Sequence, residues 1–500
     1  MKGLLSNAAS KAWVGVAAIG AVIVLVVFAL QLIPRLGGGQ DLIDAASPAL
    51  SDSQVAGERA GIDFISRYVD TADPLVTARG GGASESRALI RLVAKQSRLS
   101  TAQVAAALRR EAPHTSALLR ALPLERITRE LVRLEAFLAE TLSMSPDQVQ
   151  GALAESFPRL SQTLAALVPL ANGWNEIPQP FTRLLGKPVT TVPTLRDYLS
   201  DDLIAVVERQ KDNFQKVESN GGIGYIPWLL LVVGLVVIAF GLTRAKAAAG
   251  GGNPGRRDWG AVVGVGAVIL LLVLVLQYFP RLSAADKTID AFKPAFTEER
   301  VRGSVEGIAL VHDAVQFGDP IMTVRGGAAA EVPRLLRFIS ERTGLSPGRV
   351  LRRLRARAPR TTAVLEAIPL AAVGEEVPHL LGFLSRTMRM SGNRLLLTLR
   401  KETPGLAQSL ENVTAVTVGW NSVPKLGDLK RFDGQPVRTM TQLDDHFRVD
   451  VIPVLDEQQG HFDKLANTWP PVTYFPPLLV IVGLLVVGYG LYGMRAVARK

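Results

Sequence analysis

The chain of 500 residues contains no cysteine. That absence excludes disulfides, zinc–thiolate sites, iron–sulfur clusters and thiol catalysis together. Catalytic signatures are missing as well. There is no phosphate-binding glycine loop, no paired-glycine dinucleotide fingerprint after a strand and no His-Glu-x-x-His. Histidine is scarce, and His114, His312, His379, His446 and His461 are scattered. The sequence argues for no cofactor, no metal and no enzyme.

Charge is absent from four apolar runs: Trp13–Ile33, Ile223–Thr243, Trp259–Phe279 and Val472–Met494. Each has the ~20 residues that a helical membrane span needs. Pumps and coupled transporters place ionisable groups inside their spans, so a stand-alone ion-coupled transporter is disfavoured. Trp13, Tyr225, Trp228, Trp259, Tyr278 and Tyr474 stand at or near the run ends, where amphipathic rings favour the membrane–water interface.

The net charge of +11 invites a nucleic-acid reading that its distribution removes. Lys2, Lys11, Arg244, Lys246, Arg256, Arg257, Arg495, Arg499 and Lys500 flank the runs, with Asp258 as the one acid. Segment 35–222 holds 21 basic and 22 acidic residues, and segment 281–471 holds 26 and 22. The excess is a positive-inside signal, not a nucleic-acid footprint. It places both termini and the glycine-rich linker in the cytoplasm and both long segments outside. The expected order is a tail and span over 1–36, a helical domain over 37–222, a span over 223–243, a linker over 244–258, a span over 259–280, a second helical domain over 281–471, a span over 472–494 and a basic tail over 495–500.

What recurs along the chain is the whole unit. Asp73-Pro74 matches Asp319-Pro320, Thr77-Ala78-Arg79-Gly80-Gly81 matches Thr323-Val324-Arg325-Gly326-Gly327, and Gly173-Trp174-Asn175 matches Gly419-Trp420-Asn421, each 246 residues on. The spacing widens later, to 248 between Pro188 and Pro436. This pattern predicts a tandem duplication whose copies are related by a pseudo-two-fold along the membrane normal. Leu30-Gln31-Leu32-Ile33-Pro34-Arg35-Leu36 recurs as Leu276-Gln277-Tyr278-Phe279-Pro280-Arg281-Leu282, so the first run is read as a retained anchor and not as a cleaved signal. A fainter repeat of 45 residues is nested in each segment: Ser100, Val104, Leu108 and Pro113 match Ser145, Val149, Leu153 and Pro158. Ser346 and Ser391 open the corresponding runs in the second segment. Serine suits a helix N-cap, Val and Leu four apart share one helix face, and proline closes the run.

The expected fold is mainly α: four transmembrane helices and two homologous, mostly helical extracytoplasmic domains. Long helices are expected over 41–70 and 287–317, a break or extended turn over the Asp-Pro and Arg-Gly-Gly segments, then helices near 85–97, 101–111, 115–139, 146–155 and 159–171. A proline-rich connection with a short extended piece follows, and last helices span 195–218 and 443–467. Gly260 and Gly264, with Gly234, Gly241, Gly483 and Gly490, have the spacing of close helix contacts; Ala18 and Gly20 stand where Gly264 and Gly266 recur.

Candidate binding residues carry weaker signals. Arg79 and Arg325 beside paired glycines suit an anion such as a lipid headgroup, against a turn with a solvated arginine. Trp174 with Asn175 and Trp420 with Asn421 suit a partner anchor, against a buried structural indole with an asparagine turn. Arg349, Arg352, Arg353, Arg355, Arg357 and Arg360 form a basic stretch suited to anionic lipid or an envelope polymer, against a solvated helix face. Asp73 and Asp319 suit acid–base work, against a plain Asp-Pro turn. The composition, rich in alanine and arginine, suits a high-GC bacterium. The sequence therefore favours a non-enzymatic multi-pass protein of the inner membrane. Its paired external domains would act as an interaction scaffold or accessory subunit in bacterial cell-envelope assembly or transport. Its partners would be the bilayer and another membrane or envelope protein, or a second copy. A lipid or hydrophobic-solute carrier with a cleft between the halves is the alternative, and an envelope enzyme is third.

Overall fold

A computed structural model describes residues 8–218, 224–252, 255–275, 277–467 and 472–499. Lys2, Lys500, the linker residues Asn253 and Pro254, the repeat position Leu276 and the expected span start Ile223 lie outside the described residues. Of the described residues 83% are helical, and among them four helices are long and apolar enough to cross a membrane.

In chain order the elements are α1 (Ala8–Ala29), α2 (Leu32–Ala46), α3 (Asp52–Val76), α4 (Gly82–Ser97), α5 (Thr101–Glu111), α6 (Pro113–Ala121), α7 (Ile127–Leu142), α8 (Pro146–Ser156) and α9 (Pro158–Gly173). A two-stranded antiparallel ladder follows, β1 (Phe181–Thr182) with β2 (Pro188–Val189), in register Phe181 to Val189. Next come α10 (Val192–Asp197), a π-helical turn (Tyr198–Leu203), α11 (Ile204–Glu218), α12 (Ile226–Ala249), α13 (Arg256–Val275), α14 (Tyr278–Phe292) and α15 (Glu298–Met322). The rest are α16 (Ala328–Thr343), α17 (Pro347–Arg357), α18 (Pro359–Ala367), α19 (Leu370–Met388), α20 (Gly392–Glu402), α21 (Pro404–Trp420), α22 (Met440–Asp445), a second π-helical turn (His446–Val451), α23 (Ile452–Asn467) and α24 (Phe475–Ala498).

Several element ends differ from those the apolar pattern predicts, and each has a local cause. The first and third spans stop at Ala29 and Val275 because Gln31 and Gln277 adopt left-handed backbone, both at φ 49°. Such a residue cannot continue a right-handed helix. The expected helices over 41–70 and 287–317 are each divided, at Ser47-Pro48 and Lys293-Pro294, where proline lacks the donor that would continue the ladder. The expected break falls at Arg-Gly-Gly, between α3 and α4 and between α15 and α16, and not at Asp73-Pro74 or Asp319-Pro320. Both prolines lie inside their helices, in the closing turns of α3 and α15, where little ladder is left to lose. The expected 115–139 helix is two helices, because Leu122 before Pro123 is extended, as the residue before proline prefers. Ser100 and Ser145 cap α5 and α8 in full capping boxes with Gln103 and Gln148. Ser346 and Ser391 hold the same position without a side-chain bond.

The chain falls into two compact units. One comprises residues 1–52, 206–298 and 454–500 and contains all four apolar helices. In it α1 lies against α12, and α13 against α24. Glycine sets both contacts. A Cβ on Gly20 would meet the Gly234 carbonyl at 2.7 Å, and one on Gly241 would meet the Ala17 amide at 2.5 Å. Gly266, Gly483 and Gly490 do the same between α13 and α24, with Gly266 2.8 Å from the Val487 amide. Gly260 and Gly264 do not take part: a Cβ on either meets nothing within 4 Å. The contact has moved to Gly266 because Gly260 and Gly264 lie on a face of α13 turned from α24. Trp13 and Trp259 are buried against the protein and stack on each other with centroids 4.2 Å apart. Trp228 and Tyr474 are exposed.

The other unit comprises residues 53–205 and 299–453, so most of both long segments build one core. Leu89, Val93, Val104 and Leu108 of the first segment pack with Leu380, Leu384, Leu395 and Leu399 of the second. Helices α6 and α18 lie side by side through small residues: Ala117, Ala121, Ala363 and Ala367 are all essentially inaccessible.

Gly241→Val is expected to lower the stability of the protein in detergent micelles by roughly 1–3 kcal/mol through overpacking. Gly264→Val, made into open space, is expected to stay within about 0.5 kcal/mol of the parent. Thermal unfolding of both variants measures the difference.

Candidate functional site

The recurring Trp, Asp and Arg-Gly-Gly motifs meet at one kind of joint. Trp174, at the end of α9, is fully buried, and its indole N–H donates to Asp73 Oδ1 at 2.8 Å. Trp420, at the end of α21, donates to Asp319 Oδ1 at 3.1 Å. Tyr68 stands edge-on to the Trp420 ring at 5.4 Å. Both aspartates therefore serve as acceptors for buried indoles, and neither tryptophan presents a face for stacking. Asn421 donates to Thr323 Oγ1 at 3.0 Å, and Asn175 is half-buried. The glycines of Arg-Gly-Gly fold the chain back onto the same helix ends. A Cβ on Gly80 would lie 1.9 Å from the Asp73 carbonyl oxygen, and one on Gly326 2.0 Å from that of Asp319. Gly81 and Gly327 follow at φ 83° and 93°, a region that favours glycine. Arg79 and Arg325 are exposed.

The unit is held together by four glutamates that the repeat pattern did not single out. Glu130 on α7 is 5% exposed and accepts from the Arg360 and Thr361 amides at the start of α18, at 2.8 and 3.1 Å. Glu376 on α19 accepts from the His114 and Thr115 amides at the start of α6, at 3.0 and 2.8 Å. Glu331 on α16 accepts from the Arg159 and Leu160 amides at the start of α9, at 3.3 and 2.8 Å. Glu85 on α4 accepts from the Gly405 and Leu406 amides at the start of α21, at 3.2 and 2.7 Å. Every receiving helix begins with proline, at 113, 158, 359 or 404, so the carboxylate takes the first amides that have protons to give. The positive end of the helix dipole favours the anion. In each case the glutamate comes from one segment and the helix from the other.

The arginine stretch divides in two. Arg360 turns inward, and its guanidinium lies 3.1 Å from Glu130. Arg355 pairs with Glu366 at 2.6 Å. Arg349, Arg352, Arg353 and Arg357 are exposed on α17 and make no ion pair among the described residues. Three other helices, α5, α8 and α20, take the place of α17 in the nested 45-residue pattern. All four bury the same Val or Leu position, at Val104, Val149, Val350 and Leu395. The other three carry fewer basic residues: Arg109 and Arg110 on α5, none on α8, and Arg394, Arg400 and Lys401 on α20. The arginines of α17 are therefore not required by the packing.

Comparison with known protein families, with curated proteins and with solved structures finds no match.

The glutamates had a signal in the sequence. Glu85 and Glu130 are 45 apart, and the pair recurs 246 residues on as Glu331 and Glu376. A single glutamate on a helix face is too common to stand out, and its receiving amides lie between 171 and 321 residues away.

Glu130→Ala is expected to lower stability by about 1–3 kcal/mol, since it leaves buried α18 amides without an acceptor. Glu130→Gln, which keeps an acceptor oxygen, should lose less. Replacement of the exposed Glu111 by alanine should be close to neutral; denaturant titration ranks the three.

Proposed function

We propose that the chain is a non-enzymatic, multi-pass membrane protein whose two homologous segments form one interlocked extracytoplasmic head, a scaffold or accessory subunit in bacterial cell-envelope assembly or transport. The carrying observation is the reciprocal set of glutamate caps, in which each segment completes helix ends of the other. A tandem duplication with a pseudo-two-fold axis accounts for this set. It also accounts for two contacts between residues 246 apart, Tyr68 Oη to the Ala314 carbonyl at 3.0 Å and Arg120 to Glu366 at 2.6 Å. Equivalent positions meet where such an axis passes.

One compact body built from both segments supports their lying on the same side of the membrane. The basic residues around the apolar helices then put that side opposite the cytoplasm. On this reading the exposed arginine face of α17 is the contact for an anionic partner, since guanidinium forks match carboxylate and phosphate groups. A hydrophobic-solute carrier is a second reading; the void lined by Leu89, Leu118, Val373, Leu380, Leu406 and Val413 holds about 40 Å³, so a solute would have to open it.

Crosslinking in native membranes, followed by identification of the attached chains, tests the scaffold reading. The unaltered protein should capture a discrete envelope or membrane partner. The triple variant Arg352→Glu, Arg353→Glu, Arg357→Glu should lose it at least about tenfold while keeping its unfolding profile, as exposed charge reversals do. Transfer of labelled lipid between vesicles by the purified protein, with no partner captured, would favour the carrier.

A further inference from the structure

Two joints within the helical body are built alike and carry different chemistry. In each, a long helix with glycines four residues apart presses against the region of a π-helical turn. Gly303 and Gly307 of α15 meet Phe181 and Leu195, and Gly57 and Gly61 of α3 meet Leu429 and Leu443. At the α15 joint the polar centre is neutral. Ser304 hydrogen-bonds the buried Tyr198. Asp202 beside it is taken up by the Arg183 guanidinium, at 3.0 and 2.9 Å, and by the Leu184 amide.

At the α3 joint Glu58 stands at the position of Ser304, and His446 at that of Tyr198. Asp450 receives the Arg431 guanidinium and the Phe432 amide, as Asp202 does in the other joint. It also lies 3.1 Å from His446 Nδ1. His446 is 0% exposed and Glu58 7%. Their remaining atoms, Glu58 Oε1 and His446 Nε2, face each other at 3.6 Å, and neither has a hydrogen-bond partner.

We propose that Glu58 and His446 share one proton, and that this proton clamps α3 of the first segment to the 446–451 turn of the second. With Nδ1–H given to Asp450, two arrangements satisfy the facing atoms. Either Nε2–H donates to the Glu58 carboxylate, or the Glu58 carboxyl donates its O–H to Nε2. Both contain the same proton. Removing it leaves a carboxylate against a ring lone pair with no water to separate them, which is costly in a buried site.

Burial pushes the Glu58 carboxyl up, in line with the proton being held more firmly in the folded chain than in the unfolded one. Stability from such a group is present at low pH and is lost as pH rises through its folded value. Asp450 works in the opposite sense: burial would raise it, but hydrogen bonds from Arg431, His446 and the Phe432 amide outweigh that and hold it low. Its share is lost only on acidification. The other charged groups here are Asp433 beside Arg431, at 4.0 Å, the Asp445–Arg448 pair at the same turn, at 3.3 Å, and the His312–Asp444 pair, at 2.6 Å. They are unchanged in the variants below, so their contribution cancels in the comparison.

Hydrogen exchange of the full-length protein in nanodiscs, corrected for intrinsic chemical rates, tests the clamp between about pH 5.5 and pH 8, a span centred on the range in which an unperturbed imidazole changes charge. In the unaltered chain, amides of α3 around Glu58 and of the 446–451 turn should lose protection about tenfold or more as pH rises. Those of α15 around Ser304 and of the 198–203 turn should not. The double variant Glu58→Ser, His446→Tyr, which installs the residues of the other joint, should flatten the dependence. Glu58→Gln, whose amide does not titrate and can donate to an unprotonated Nε2, should flatten it too and carries the test if the double variant does not fold. An undiminished pH dependence in Glu58→Gln, or equal loss at both joints, would overturn the proposal.

Discussion

A carboxylate buried away from water must find hydrogen bonds or lose its charge. The described body is arranged around that constraint. Glu130 and Glu331 are buried and Glu85 and Glu376 half-buried, and each is aimed at a proline-started helix whose first free amides have no partner within their own segment. The carboxylate supplies the missing acceptors, and the helix supplies two donors and a favourable dipole. Neither side is complete alone. Residues far apart in sequence are thereby bound into one core, with Leu89, Val104, Leu384 and Leu399 between them.

That dependence explains why no covalent staple is required in a chain without cysteine. It also explains where the recurring motifs went. Asp-Pro, Arg-Gly-Gly and Trp-Asn are not spread over a surface awaiting a ligand. Asp73 receives Trp174, Asp319 receives Trp420, and the glycines let the following turn close onto those helix ends. What remains outside the packing is the guanidinium row of α17, where three structurally comparable helices carry fewer basic residues or none.

Much of the helical layout was legible from local signals. Apolar runs gave the four long helices, and Ser100 and Ser145 announced helix starts that their capping boxes bear out. Proline at 113, 158, 359 and 404 marked the end of one helix and also the start of the next, since its fixed φ suits a first turn. The span ends were less legible, because nothing in the composition of Leu30-Gln31-Leu32 requires left-handed backbone at Gln31. Gly260 and Gly264 had the right spacing but the wrong face; Gly266 carries the contact. The glutamate caps and the Glu58–His446 pair were beyond reach for a different reason. Each joins residues from different segments, and periodicity along one segment does not say which face of the other it meets.

The most direct measurement of the central claim cuts the chain between its halves. A protease site placed in the linker after Gly252 allows residues 1–252 to be separated covalently from the rest in the folded, purified protein. After cleavage the two fragments should stay together. Residues 53–205 and 299–453 should then still exchange their protected amide hydrogens as one cooperative unit, with a single unfolding midpoint. Separate midpoints for the two segments, or fragments that part and keep their own protection, would contradict the account.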